Sequence, residues 1–160
     1  MDIPVEALEL ENRSIGIGGE PTLADAYAIL RERWIAGDRN RELGLHLMFL
    51  AWYGMVEPPF LTGFLEENEI NGSLMQTLTE VHNFFQPRTA EDAELLYAFG
   101  LAAHLFGFMF DDPTTWELRG EEYRKLYRQI APNGIDPTIF DGREAYGDYY
   151  GHQARIAGGY

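Results

Sequence analysis

The chain has 160 residues, of which 46% are hydrophobic, and it carries a formal net charge of −14. This length suits one domain, and the hydrophobic content is too high for an intrinsically disordered chain. The absence of cysteine excludes disulfides and thiolate metal sites, and the strong negative charge disfavours binding to nucleic acid.

The sequence carries no signal typical of secretion or of a membrane span. Its first twelve residues, MDIPVEALELEN, are acidic and contain no apolar core of the kind that a signal peptide requires. The longest apolar run, residues 95–110, falls short of the roughly 20 residues that cross a bilayer. We therefore expect a soluble, cytoplasmic protein that binds neither a membrane nor nucleic acid.

Apolar side chains recur at spacings of three and four along most of the chain, which predicts helices, whereas alternating strand patterns are absent. Residues 1–20 are expected to form an irregular N-terminal arm. Helices are predicted at residues 21–36, 40–56, 74–86, 90–110 and 114–130, with a weaker sixth at 138–156, which contains three glycines. The fold class is therefore predicted to be all-α, a single-domain irregular bundle of five to six helices.

Polar residues at the expected helix starts support these boundaries. Asp38 or Asn40 is placed to cap the second predicted helix, and Thr89 is placed to cap the fourth. Ser73 and Gln76 have the spacing of a capping box, which predicts that the third helix begins directly after the sequence NGS.

The second and fourth predicted helices, about 40–56 and 90–110, are apolar nearly all round and are therefore expected at the centre of the bundle. Gly100 and Gly107 lie on one stripe of the fourth helix, although a glycine inside a helix costs about 1 kcal/mol relative to alanine. We predict that the two central helices cross closely at these glycines. The alternative is that the small residues leave space for a ligand.

Each central helix carries one histidine, His46 or His104, in an apolar stretch. A buried imidazole needs a hydrogen-bond partner, and Glu42, four residues before His46, is in position to be one. One hypothesis is that both histidines are structural, and the alternative is a metal or acid–base site formed by His46, His104 and Glu42. Because neither a His-Glu-x-x-His nor a Glu-x-x-His pattern occurs, we predict no metal site and no cofactor.

Signatures of nucleotide-binding loops, nucleophile elbows and calcium loops are missing, so no catalytic residue is predicted and an enzymatic function is disfavoured. If a small ligand binds, its pocket is expected between the two central helices. The candidate pocket residues are His46, Trp52, Tyr53, Gly100, His104 and Gly107.

The C-terminal tail, residues 138–160, is rich in tyrosine and glycine. In a helix its tyrosines fall on one face, and tyrosine is enriched at protein interfaces because it combines a large apolar ring with a polar hydroxyl. Two roles stay open, since the tail can close the core or form a contact surface. The candidate interface residues are Tyr146, Tyr149, Tyr150, His152 and Gln153.

These observations favour a non-catalytic acidic helical protein that acts through protein–protein contact, as an interaction module or a small inhibitor would. The expected partner is another protein, for which the charge favours a basic one, or a second copy of the chain. The alternative function is a helical bundle that binds a small ligand or a metal, with or without enzymatic activity, in a pocket between the central helices.

Overall fold

The computed structural model of the protein describes residues 2–16, 18–64, 67–156 and 160, and at residues 67–72 it describes the backbone alone. Throughout these residues the protein is all-α, as the sequence predicts. Nine α-helices and two 3₁₀ turns are described, namely α1 (Val5–Arg13), α2 (Leu23–Ile35), α3 (Arg41–Val56), α4 (Pro59–Thr62), α5 (Glu67–Phe85), α6 (Pro87–Ala90), α7 (Ala93–Phe106), η1 (Gly107–Met109), α8 (Pro113–Ile130), η2 (Pro137–Phe140) and α9 (Glu144–Arg155).

The two apolar helices are α3 and α7, and both are buried as expected for central helices. Asn40 caps α3 by accepting a hydrogen bond from the backbone N–H of Leu43 at 3.2 Å, so one of the two predicted residues is the cap. Residues Leu43 to Trp52 of α3 and Glu94 to Ala103 of α7 are all buried. In the described part of the chain, no helix is both long and apolar enough to cross a membrane.

Helix α7 is shorter than the predicted helix 90–110. Its cap is Asp92 rather than Thr89, because the Asp92 carboxylate accepts hydrogen bonds from the N–H groups of Glu94 and Leu95 at 3.0 and 3.1 Å. The helix ends at Phe106, and the tighter turn η1 replaces its predicted last residues.

The prediction of an irregular N-terminal arm is wrong, because Val5–Arg13 forms helix α1. Ala7 and Glu11, four residues apart, lie on its buried face, and α1 packs against α2. Because a glutamate occupies a core position, the sequence lacks the uninterrupted apolar stripe by which an amphipathic helix is normally predicted.

Helix α5 also begins earlier than predicted, at Glu67 instead of residue 74. The sequence NGS at 71–73, which was expected to break the chain, lies inside the helix, so the capping-box prediction is wrong. Asparagine and glycine each disfavour a helix interior by about 1 kcal/mol or less. Packing of the next turns offsets this cost, since Leu74 and Leu78 are fully buried.

The tail is α-helical over residues 144–155, which is shorter than the helix predicted at 138–156. The turn η2 lies at its start, and α9 follows after Gly142, with Gly147 and Gly151 buried inside the helix. Together with α1, the two four-residue helices α4 and α6 account for the difference from the five to six helices predicted.

The contacts of the chain divide it into two compact units. The first comprises the described residues up to Val81 together with Gly142–Asp148. The second comprises His82–Asp141 and the described residues from Tyr149 onward. The single domain expected for residues 1–160 stays a prediction.

Each unit has its own set of packed helices. In the first unit α2 packs against α1 and α3, and in the second α8 packs along α7 with η1 and α6 beside them. The largest buried side chains of the first unit include Trp34, Phe49, Trp52 and Tyr146. Those of the second unit are Tyr97, Phe99, Trp116, Tyr127, Phe140 and Tyr150.

Candidate functional site

The six candidate pocket residues are divided between the two units. In the first unit α3 carries His46, Trp52 and Tyr53, and in the second α7 and η1 carry Gly100, His104 and Gly107. Trp52 is fully buried in its unit, and Tyr53 is half-buried. The ligand pocket expected between the two helices stays a prediction.

His46 and three other ionisable side chains of the first unit, Glu11, Glu42 and Arg143, form a cluster that we call the His46 network. Its Nδ1 is 2.9 and 2.7 Å from the two carboxylate oxygens of Glu11, and its Nε2 is 3.0 Å from Oε1 of Glu42. Arg143, just before α9, donates two hydrogen bonds to the Glu42 carboxylate at 2.8 and 2.7 Å. The network therefore joins α1, α3 and the segment that leads into α9.

The pKa values define the charges of the network. Burial disfavours the protonated form of His46, but the charge of Glu11 and the hydrogen bonds to Glu11 and Glu42 outweigh it and raise the pKa of His46 to about 9. Burial also favours a higher pKa for Glu42, yet hydrogen bonds from His46 and Arg143 lower that pKa to about 2. At neutral pH the imidazole is therefore protonated, and both of its nitrogens donate.

The surroundings of the network indicate a structural role. Glu11 and His46 are completely buried. The buried ring of Tyr146 lies 5.1 Å from the His46 ring, and the guanidinium of Arg143 lies 4.9 Å from the centre of the same tyrosine ring. Because solvent does not reach the imidazole, this arrangement supports the structural hypothesis for His46 over an acid–base site.

Sequence reasoning identified one partner of His46 and missed the others. Glu42 was expected because it lies one helical turn before His46. Glu11 comes from another helix, and its one signal is its spacing of four from Ala7 on the face of α1. Arg143 lies 101 positions from Glu42, and no local pattern in the sequence relates the two.

The space beside Gly100 is filled by a tyrosine of the same unit. A Cβ atom at Gly100 would lie 2.8 Å from Cε1 of Tyr160, whose hydroxyl donates a hydrogen bond to the backbone carbonyl of Gly120. The ring of His104, an exposed residue, lies 5.5 Å from the Tyr160 ring. The small residue on α7 thus makes room for an aromatic side chain of the protein itself.

Close approach of two helices occurs at a glycine that the sequence analysis did not single out. A Cβ at Gly120 of α8 would lie 3.0 Å from the backbone nitrogen of His104 and 3.2 Å from its Cα. Gly107, by contrast, makes an ordinary contact, since its Cβ would lie 3.4 Å from Trp116. The close packing of α7 against α8 at this point therefore requires that residue 120 has no side chain.

The candidate interface residues of the tail fall into two groups. Tyr146 and Tyr150 are fully buried, and the Tyr150 hydroxyl donates to the backbone carbonyl of Ala98 at 2.8 Å, so both tyrosines belong to the core. The other three candidates are at least partly exposed, namely Tyr149, His152 and Gln153. Their role in a protein contact stays a prediction.

An apolar surface of the second unit lies at the end of α7 and in η1. Phe108 is 65% exposed and Met109 is 47% exposed. Leu105 precedes them by three and four residues and is exposed as well. We define the Phe108 patch as these three exposed apolar side chains, Leu105, Phe108 and Met109.

The Phe108 patch is accompanied by negative charge. Residues 104–121 contain four acidic residues and one arginine, and the acidic side chains, all exposed, are Asp111, Asp112, Glu117 and Glu121. Hydrogen bonds from Thr115 lower the pKa of Asp112, which is therefore ionised at neutral pH. An apolar surface with this border is complementary to a segment that carries both apolar and basic side chains.

Neither a metal centre nor a known relative identifies the site. Among the residues that the structure describes, no group of three or more histidine and carboxylate side chains is placed to hold a metal ion. No family model matches the chain, and neither a curated protein nor a solved structure matches it. The function is therefore inferred from the geometry and charge of the protein's own residues.

Proposed function

We propose that the protein acts by binding another protein, and that the partner contacts the Phe108 patch with a segment of apolar and basic side chains. The observation that carries this proposal is the exposure of Leu105, Phe108 and Met109, three apolar side chains within five consecutive residues. Large apolar side chains that cluster in water are typical of protein contact sites. The proposal assigns no catalytic step to the protein.

The charge of the protein favours a basic partner over a second copy of the chain. Two copies with a formal charge of −14 repel each other, and they would bring the acidic border of the patch against itself. A basic partner gains electrostatic attraction instead, which speeds association and weakens as salt screens it.

Two synthetic amphipathic helical peptides test the proposal, one built from leucine and lysine and the other from leucine and glutamate. Fluorescence anisotropy measures their affinities for the purified protein at low and high salt. We expect the lysine peptide to bind and the glutamate peptide not to bind. Replacement of Phe108 by serine should weaken binding of the lysine peptide about tenfold, because a buried aromatic anchor is lost.

The matched control is Phe60→Ser, which removes a phenylalanine that is 76% exposed in the first unit. This variant should bind the lysine peptide as the unmodified protein does. Equal loss in both variants would show attraction without a specific surface and would overturn the proposal. A dimer in sedimentation experiments that Phe108→Ser abolishes would also overturn it, in favour of self-association.

A further inference from the structure

A cleft of about 400 Å³ lies in the second unit beside His82, and we call it the His82 cleft. Its volume falls within the range of about 300–1,000 Å³ that is usual for small-molecule sites. Besides His82, the side chains that matter for its chemistry are Asn83, Arg88, Thr89, Arg119 and Tyr123.

Two buried side chains of the cleft, His82 and Tyr123, form a hydrogen bond between neutral groups. Burial lowers the pKa of His82 to about 4, so its ring is neutral at neutral pH. His82 Nδ1 is 3.1 Å from Oδ1 of Asn83, and Nε2 is 2.6 Å from the hydroxyl of Tyr123. Because an amide oxygen only accepts, Nδ1 carries the proton and Nε2 accepts the hydrogen bond from Tyr123.

The two arginines of the cleft differ in their partners. Arg88 is paired with Glu122, with two contacts of 2.7 Å between guanidinium nitrogens and carboxylate oxygens. The guanidinium of Arg119 lies 4.5 Å from the centre of the Trp116 ring, and within the described residues it forms no ion pair with a carboxylate, although its charge lowers the pKa of Asp112. The cleft therefore presents one guanidinium whose hydrogen-bond donors are not taken up by a carboxylate.

We propose that the His82 cleft binds a small organic carboxylate whose charged group pairs with Arg119. A guanidinium binds a carboxylate through two parallel hydrogen bonds, and one guanidinium without a carboxylate in contact matches a monoanion better than a phosphate dianion. Asn83 and Thr89 offer amide and hydroxyl groups to polar atoms on the body of the ligand. This site goes beyond the proposed protein contact and involves none of the residues of the Phe108 patch.

Titration of the ¹⁵N-labelled protein, followed by NMR, tests the proposal with lactate, gluconate and inorganic phosphate as probes. At least one of the two carboxylates should shift the amide signals of Asn83, Thr89 and Arg119 saturably, and phosphate should bind more weakly. Arg119→Met keeps an apolar stem of similar length against Trp116 but removes the charge, so carboxylate affinity should fall about tenfold or more. The matched control is Arg124→Met on the same helix, outside the cleft, which should leave affinity unchanged.

A second variant tests the charge balance by an increase in affinity, which loss of folding cannot imitate. Glu122→Gln removes the partner of Arg88, so carboxylates should bind more tightly and phosphate should gain more than they do. Absence of saturable shifts with every probe would overturn the proposal, as would equal affinities in Arg119→Met and Arg124→Met. Tighter binding of phosphate than of both carboxylates to the unmodified protein, or no gain in Glu122→Gln, would also overturn it.

Discussion

Glu11 and His46 show what a buried charge requires of its neighbours. An isolated charge in a protein interior is strongly unfavourable, and breaking a buried pair costs more than the pair contributes. Here each group has a partner of the opposite sign, because Glu11 and Glu42 flank the protonated His46 and Arg143 balances Glu42. Loss of His46 would leave Glu11 buried without a partner of opposite charge.

The His46 network should make stability fall with pH on the alkaline side. An unfolded histidine titrates near 6.5, whereas His46 in the folded protein has a pKa of about 9. The folded state thus holds the proton more tightly, so the stabilisation is complete below about pH 6.5 and is lost as the pH rises through about 9. We expect the free energy of unfolding to fall by about 1–3 kcal/mol across this window, measured by urea denaturation.

The control for this prediction is His46→Gln, whose neutral amide does not titrate. The variant should be less stable than the unmodified protein at about pH 6 and should lack the alkaline decrease that His46 causes. If both proteins lose the same free energy between about pH 6.5 and about pH 9, the proton does not reside on His46.

At the scale of the elements, the packing of α7 on α8 depends on Gly120. Alanine normally stabilises a helix by about 1 kcal/mol relative to glycine. At this position, however, the added carbon would lie 3.0 Å from the backbone of His104, and a helix backbone cannot move aside as a flexible side chain can. We expect Gly120→Ala to lower the free energy of unfolding by about 1–3 kcal/mol in denaturant titrations.

Gly107→Ala is the matched comparison, because a carbon added there would make contact no closer than 3.4 Å. Its free energy of unfolding should stay within about 1 kcal/mol of the unmodified protein. A stabilising effect of Gly120→Ala would mean that α7 and α8 separate at little cost, and it would contradict the interpretation of this glycine as a close-approach position.

The elements that were predicted correctly are those whose burial follows from the residues next to one another in the sequence. Helices α3 and α7 are apolar nearly all round, and an apolar stretch of that length is most often a buried helix. Helix α1 was missed because Glu11 interrupts its apolar face, and the start of α5 was misplaced because burial outweighed a local break signal. Tertiary contacts decide such cases, and a single sequence does not display them.

The candidate sites follow the same division. The contact of Glu42 with His46 lies within one helical turn and was predictable. At Gly100 the sequence analysis predicted a close helix crossing, with space for a ligand as the alternative, and the side chain that lies there, Tyr160, comes from a distant part of the chain. The His82 cleft was not predicted at all, because Arg88 and Arg119 belong to separate helices that come together only in the fold.

At the scale of the whole molecule, net charge should make stability depend on salt. The chain has twenty-six acidic and twelve basic residues, so the excess negative charges repel one another. Added salt screens this repulsion, since the screening length shortens from about 30 Å at about 0.01 M salt to about 10 Å at about 0.1 M. We expect the Tm to rise when sodium chloride is added, as measured by thermal unfolding. Potassium chloride at equal ionic strength is the control for ion-specific effects, and a Tm that falls in both salts would contradict the prediction.

The formal charge of −14 counts every histidine as neutral. Since His46 retains its proton well above neutral pH, that one side chain makes the charge of the protein one unit less negative. In capillary electrophoresis near neutral pH, the His46→Gln variant would therefore migrate toward the anode faster than the parent protein. The formal count, by contrast, treats both side chains as neutral. A difference in mobility between the two proteins would therefore detect a proton that is bound in the interior, out of contact with solvent.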